Sequence, residues 1–563
     1  MATHLGWLFL GMLLRIIFPV ASAKLVTPPN MTELDTRFPT DCFNRTSFPP
    51  DFIFGVASSA YQYEGHAIVS LRGPSEWDTF AQDFPERIAD GSNADTAIDF
   101  YNRYQSDLQI VKNLSVDAFR LSIDWSRVIP SGKISRKVSR RGIDFYNKML
   151  SKSRSHLLRL NFTGFEPFIT LFHWDIPQGL EDNYGGFLSD QIVNDFRDFA
   201  ELCFREFGDR VKYWITLNEP QKYSSAGYDS GDFAPGRCSK WVNEKYCMKG
   251  NSSTEPYKVA HNLLLSHAAA VKTYKEKYQA SQNGKIGITL NTPWFEPYSN
   301  STDDYDAAKR SLDFTLGWFL NPITYGDYPT SMRELVKERL PTFSSPDEVK
   351  GTYDFVGLNY YTAYYAANAN TSDPDHLRYQ TDSNANITGE RGRIPIGPKA
   401  GASWQYIYPE GIKYLLNYTK DNYQNPIIYI TENGYSRLLD ANVSDAETLN
   451  DRPRIDFHFH HLQNVIKSID DYEVQVKGYF AWSFTDDFEF TDGAKTICHP
   501  PHDEKAEKPC PASDASIGHL SRRCDRAREP CTPCAAMGRG RVDPAPPAPI
   551  NTVPKGEEEG EEK

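Results

Sequence analysis

Short runs of apolar, β-branched and aromatic residues recur along the chain, separated by longer stretches with apolar positions at helical spacing. The runs are Phe52–Ser59, Val116–Ile123, Glu166–Phe172, Lys212–Leu217, Lys285–Leu290, Tyr353–Asn359, Pro426–Glu432 and Val474–Ser483. Most are too uniformly apolar to have a wet face, the pattern of strands buried on both sides. The helical stretches include Asp95–Leu114, Asp190–Phe207, Pro256–Tyr278, Pro409–Tyr423 and Arg454–Ile469. Strand and helix alternating eight times predict an α/β fold of the (β/α)8 barrel type, in which function sits at the C-terminal ends of the strands.

Two of the runs end in a residue that strand packing does not ask for. Tyr429 to Gly434 reads YITENG and places Glu432 at the end of a buried strand; Tyr213 to Pro220 reads YWITLNEP and does the same with Glu219. A carboxylate buried without a partner costs several kcal/mol or shifts its pKa, so two such residues at equivalent places point to chemistry. Paired carboxylates across a sugar ring, about 5 to 5.5 Å apart when configuration is retained, are the apparatus of glycoside cleavage.

Composition adds limits. The chain has 563 residues, of which 13% are aromatic, with 10 Trp and 32 Tyr, suiting a surface that stacks on ring-shaped ligands. A net charge of -13 argues against nucleic acid as a partner. No apolar run after the N-terminus is long enough to span a bilayer. Residues 1–23 differ: the apolar run Leu5–Val20 followed by Ala21-Ser22-Ala23 predicts a secretory leader with Lys24 as the mature start. Sequons at Asn44, Asn113, Asn161, Asn251, Asn300, Asn370, Asn386, Asn417 and Asn442 fit passage through the secretory pathway to the apoplast or a vacuole, with some of them expected to be buried. In that oxidising setting Cys238 and Cys247, which close a short polar loop, are the expected disulfide, with Cys42 and Cys203 free and buried.

Two stretches stand outside the barrel pattern. Residues 151–164 read as a basic, irregular surface insert, and residues 494–563 turn into Pro-, Cys- and Arg-rich sequence ending in EEEGEEK, a composition expected to be disordered. The CTPC at Cys531–Cys534 lacks the second pair that a zinc site needs. The domain plan is therefore a leader (1–23), a barrel (24–493) and a tail (494–563).

The motifs FIFGVASSAYQYEG (Phe52 to Gly65), LFHWDIPQGLED (Leu171 to Asp182), TLNEP (Thr216 to Pro220), GLNYYTA (Gly357 to Ala363), ITENG (Ile430 to Gly434) and AWSFTDDFEF (Ala481 to Phe490) occur in one order. In this the chain resembles the plant β-glucosidases of glycoside hydrolase family 1. The resemblance implies a retaining enzyme acting on small β-glucosides without metal or cofactor, with Glu432 as nucleophile and Glu219 as acid/base, the charge on Glu432 raising the pKa of Glu219. It implies sugar-binding roles for Gln62, His173, Asn218 and Glu489, and walls made by Trp174 and Trp482. Arg120 and Tyr361 correspond to residues that orient the nucleophile, and Trp404 to the aromatic against the aglycone.

Two departures are visible. Phe490 stands where the family usually has Trp, and the family's closing helix over the eighth strand is replaced by the tail, so an exposed apolar flank is expected between the first and eighth strands. The alternatives are a truncated, inactive or sugar-binding-only form, or a thioglucosidase; for the latter, Glu219 stands where some such relatives have Gln, and Ser225 and Ala226 where others carry a basic residue.

Overall fold

The computed structural model describes residues 44–65, 71–154, 164–437 and 451–494. The expected leader, Cys42, the sequons at Asn161 and Asn442, and the tail with its CTPC, where the closing helix is expected to be replaced, lie outside the described residues.

All eight expected strands form: β1 (Ile53–Ala57), β2 (Ala118–Ser122), β3 (Glu166–Phe172), β4 (Tyr213–Asn218), β5 (Lys285–Asn291), β6 (Phe355–Asn359), β7 (Ile428–Asn433) and β8 (Val476–Trp482). Every neighbouring pair is parallel and the ring is closed, β8 returning to β1 over a register from Ile53 opposite Gly478 to Ala57 opposite Trp482. Helices Phe100–Asn113 (α1), Arg140–Arg154 (α2), Gln191–Phe207 (α3), Pro220–Tyr228 (α4), Glu255–Lys277 (α5), Glu410–Asn422 (α6) and Arg452–Asp470 (α7) lie among the connections.

The inside of the barrel is apolar at its N-terminal end. Ala118, Phe168, Ile215, Phe355, Tyr429 and Phe480 converge there, with Phe168 stacked on Tyr213 at 4.1 Å between ring centroids. Gly55 makes room for one of these rings, because a Cβ at this position would stand 2.4 Å from the Phe480 ring. The interior is thus plugged below, and buried polar side chains appear only towards the C-terminal ends, the arrangement expected of such barrels.

Three expectations are corrected. Residues 151–154 belong to α2, whose helical pattern simply continues into the stretch read as an irregular insert; the remainder of that stretch up to residue 163 is outside the described residues. The seam between β1 and β8 carries no exposed apolar flank among the described residues: Val56 and Tyr479 on its outer side are buried, and Phe54 is half-buried beneath Phe48, Phe52 and the Arg45 guanidinium. None of the described sequon asparagines is buried; Asn113, Asn251, Asn300, Asn370 and Asn386 are exposed, and Asn44 and Asn417 half-buried. The sequence reading also missed a three-stranded sheet (Trp294–Pro297, Ala363–Asn368 and Ala385–Thr388) beside the barrel mouth. The Cys238–Cys247 disulfide is present, and Cys203 is free and buried in the core.

Candidate active site

β4 ends abruptly because Glu219 takes a left-handed backbone (φ 46°) and Pro220 starts α4. A non-glycine residue there is strained, and its amide N–H is satisfied by the Thr289 carbonyl of β5 at 2.9 Å. The turn presents the Glu219 side chain at the mouth of the barrel. Its Oε1 accepts from Asn359 Nδ2 at 2.6 Å and its Oε2 from Asn291 Nδ2 at 3.1 Å, and no cation reaches it at ion-pair distance among the described residues. Burial in the first place, and the charge of Glu432 in the second, push its pKa up to about 7. The cause inferred from sequence, the neighbouring charge alone, is therefore the smaller of the two.

Glu432, at the equivalent end of β7, has the opposite surroundings. The buried Arg120 guanidinium from β2 forms an ion pair with Oε1, and the Tyr361 hydroxyl donates to Oε2 at 2.7 Å. One carboxyl thus meets only carboxamides and is raised by its burial against their effect, whereas the other meets a cation and a phenol. A chain of contacts joins them: Arg120 Nη2 donates to Asn218 Oδ1 at 2.7 Å, and Asn359 Nδ2 approaches both that oxygen (3.2 Å) and Glu219.

A cavity of about 620 Å³ opens over these groups, and Gln62, His173, Trp174, Asn218, Glu219, Tyr361, Trp404, Glu432, Trp482, Glu489 and Phe490 all line it. Arg120 is beneath its floor. Gln62, Trp482 and Glu489 form one end: Glu489 accepts from the Trp482 indole at 3.2 Å, and Gln62 donates to the Phe488 carbonyl at 3.0 Å. Burial pushes Glu489 up to about 7 as well. His173 shares a contact of 3.1 Å with Asn218 through Nε2, while its buried Nδ1 has no hydrogen-bond partner among the described residues. Burial holds that imidazole well below its ordinary pKa, hence neutral. Phe490 is buried against Trp77 (4.7 Å) and Trp174 (4.8 Å), so the ring found where the family usually has Trp is part of a continuous aromatic wall. Trp404 is 44% exposed, an uncovered ring at the cavity mouth.

Sequence reasoning missed Asn291 and Asn359, which clamp Glu219, and Lys222 and Phe233, which line the wall beyond it. A signal for the first two was present: β4, β5, β6 and β7 each close on an asparagine, Asn218, Asn291, Asn359 and Asn433. No group of His, Cys, Asp and Glu able to hold a metal is found among the described residues, and no described helix is long and apolar enough to cross a membrane.

Comparison with known proteins places this geometry. The pattern of glycosyl hydrolase family 1 matches residues 44–497. Beta-glucosidase 24 of Oryza sativa subsp. japonica is 53% identical over 455 residues, covering 80% of this chain and 88% of the relative. Among solved structures, a mutant of the rice Os3BGlu6 β-glucosidase in a covalent complex with Glc superposes with a TM-score of 0.77 at 47% identity, over 80% of this chain and 93% of that one. A family 1 β-glucosidase from the fungus Humicola insolens in complex with glucose gives a TM-score of 0.79 at 36% identity, over 85% and 98%. The chain belongs to glycosyl hydrolase family 1 and is a glycoside hydrolase with the family's (β/α)8 barrel.

Proposed function

We propose that the protein is a retaining β-glucosidase that hydrolyses small β-D-glucosides by double displacement. The observation that carries this reading is the divergence of the two carboxyls: Glu219 buried among carboxamides and pushed up to about 7, Glu432 paired with Arg120 and Tyr361. A neutral acid facing a charged nucleophile is the starting state such a reaction needs.

In the first step Glu432 attacks the anomeric carbon, the bond to the aglycone oxygen breaks, and Glu219 transfers its proton to that oxygen. In the second, Glu219, now ionised, takes a proton from water as the water oxygen attacks the same carbon and releases Glu432. Asn218 and His173 contact the ring hydroxyls beside the reacting carbon. Gln62 and Glu489 hold those at the far end against Trp482, and Trp174 and Phe490 line the wall. Trp404 receives the aglycone. The covalent Glc complex of the rice relative supports the glycosyl-enzyme step, and the glucose complex of the fungal relative supports the sugar.

Against a sugar-binding-only form speak the presence of both carboxyls with their partners and the paired β1–β8 seam. Against a thioglucosidase speaks the acid at Glu219, which sulfur, a leaving atom needing little protonation, would not require. The leader, the sequons and the Cys238–Cys247 disulfide support a location in the secretory pathway, vacuolar or apoplastic.

The test is proton NMR of the first-formed sugar from an aryl β-glucoside, with mass spectrometry of protein treated with a 2-deoxy-2-fluoro-β-glucoside. β-Glucose and an adduct on the Glu432 peptide are expected; α-glucose first, or an adduct elsewhere, overturns the reading.

A further inference from the structure

Among the charged side chains of the cavity wall that the reaction just described does not use, Lys222 stands out. Lys222 lines the wall three residues after Glu219, in the first turn of α4. A cation is misplaced there, because the N-terminal turn of a helix carries positive partial charge. It is also withdrawn from water, and burial lowers its pKa. Its ammonium lies 4.8 Å over the Phe233 ring. Its acidic neighbours are Glu219, Asp232 and Asp492, and none closes to ion-pair distance. Asp232 instead reaches towards Arg87, at 3.9 Å. The other cations of the cavity wall among the described residues, Arg437 and Arg454, both turn to Asp451, at 3.9 and 3.3 Å.

The position of Lys222 fixes which part of a substrate it could meet. Glu219 delivers its proton to the leaving oxygen, and Lys222 lies on the same helix start beyond it, beside Phe233. Gln62, Trp482 and Glu489 cluster through their mutual contacts at the sugar end. An unpaired, partly desolvated ammonium next to aromatic rings matches a leaving group that is itself aromatic and bears an anion.

We propose that Lys222 anchors the aglycone by an ion pair, and that the favoured substrates are β-glucosides of aromatic acids. The carboxylate meets the ammonium while the ring lies in the cavity lined by Phe233 and Trp404. This rests on the β-glucosidase reading and adds to it the chemical class of the aglycone.

The experiment compares kcat/KM for 4-(carboxymethyl)phenyl β-glucoside and its methyl ester, whose methylene spacer leaves the two phenols nearly equal as leaving groups. The wild-type protein is expected to favour the acid. Lys222→Met is expected to lower the acid-to-ester ratio by about tenfold or more, the scale of a charge-assisted hydrogen bond, and Lys222→Arg to retain most of it. A wild-type ratio at or below one overturns the proposal and requires no variant. So does a ratio that Lys222→Met leaves unchanged, even if that variant shifts the pH profile through Glu219. Failure of the wild-type protein to cleave the ester or any other neutral aryl β-glucoside would strike the β-glucosidase reading instead.

Discussion

Asn359 Nδ2 lies 2.6 Å from Glu219 Oε1, while Asn359 Oδ1 accepts from the Thr431 hydroxyl at 2.7 Å. One carboxamide at the end of β6 thus touches Glu219 at the end of β4 and the residue before Glu432 on β7. Its donated hydrogen bond favours the ionised carboxyl and opposes the effect of burial. In the proposed reaction Glu219 is an acid in one step and a base in the next, and a value of about 7 serves both.

Replacing Asn359 by Leu removes that donor and should raise the pKa of Glu219. The alkaline limb of kcat/KM is expected to move upward by about one unit, the worth of one hydrogen bond to a charged group. A pH profile of unchanged shape in the folded variant would show that the bond does not tune the acid.

Glu432→Gln removes the proposed nucleophile and should reduce turnover of aryl β-glucosides to background. Glu219→Gln should cost about 10² to 10⁴-fold on substrates with poor leaving groups and much less on activated ones, because only the former need a proton. Equal losses on both substrate types would contradict the acid role.

Stability should peak in mildly acidic solution. Glu64, Glu181 and Glu489 are pushed up to about 7 by burial. With folded values above the unfolded carboxyl value of about 4.3, they add stability that is present below that value and lost as pH rises through 7. His267, His458 and His461 are depressed by burial to about 3, so their contribution is present above the unfolded value of about 6.5 and is lost as pH falls. The midpoint of thermal unfolding is therefore expected to be highest between about pH 5 and 6.5 and to decline on either side. A midpoint that climbs steadily to pH 8 would exclude this balance.

Phe490→Ala should open the aromatic wall that Phe490 shares with Trp77 and Trp174. A loss of about 3 kcal/mol of stability is expected from a buried ring of this size, with a raised KM because the wall of the sugar site loosens. Denaturant unfolding and steady-state kinetics read the two effects separately, and an unchanged KM would place Phe490 outside the site.

The barrel was legible along the chain because a strand buried on both faces must be almost wholly apolar, and every run of that kind became a strand of the ring. The flanking sheet was not legible, since strands as short as Trp294–Pro297 carry too few positions to show a period. Glu219 and Glu432 stood out because a carboxylate at the end of an apolar run breaks a local rule. Asn291 and Asn359 did not, because an asparagine ending a strand reads as the start of a turn.

The sequence by itself determined the eight strands, the helices between them and the identity of the two carboxyls, all of which follow from residue type and spacing over a few neighbours. Only the tertiary structure decided what makes those carboxyls unlike. Arg120 reaches Glu432 across 312 positions of the chain, and Asn359 reaches Glu219 across 140. A pKa depends on burial and on the charges and donors that folding brings within a few ångströms, and neither quantity exists until the ring of strands has closed.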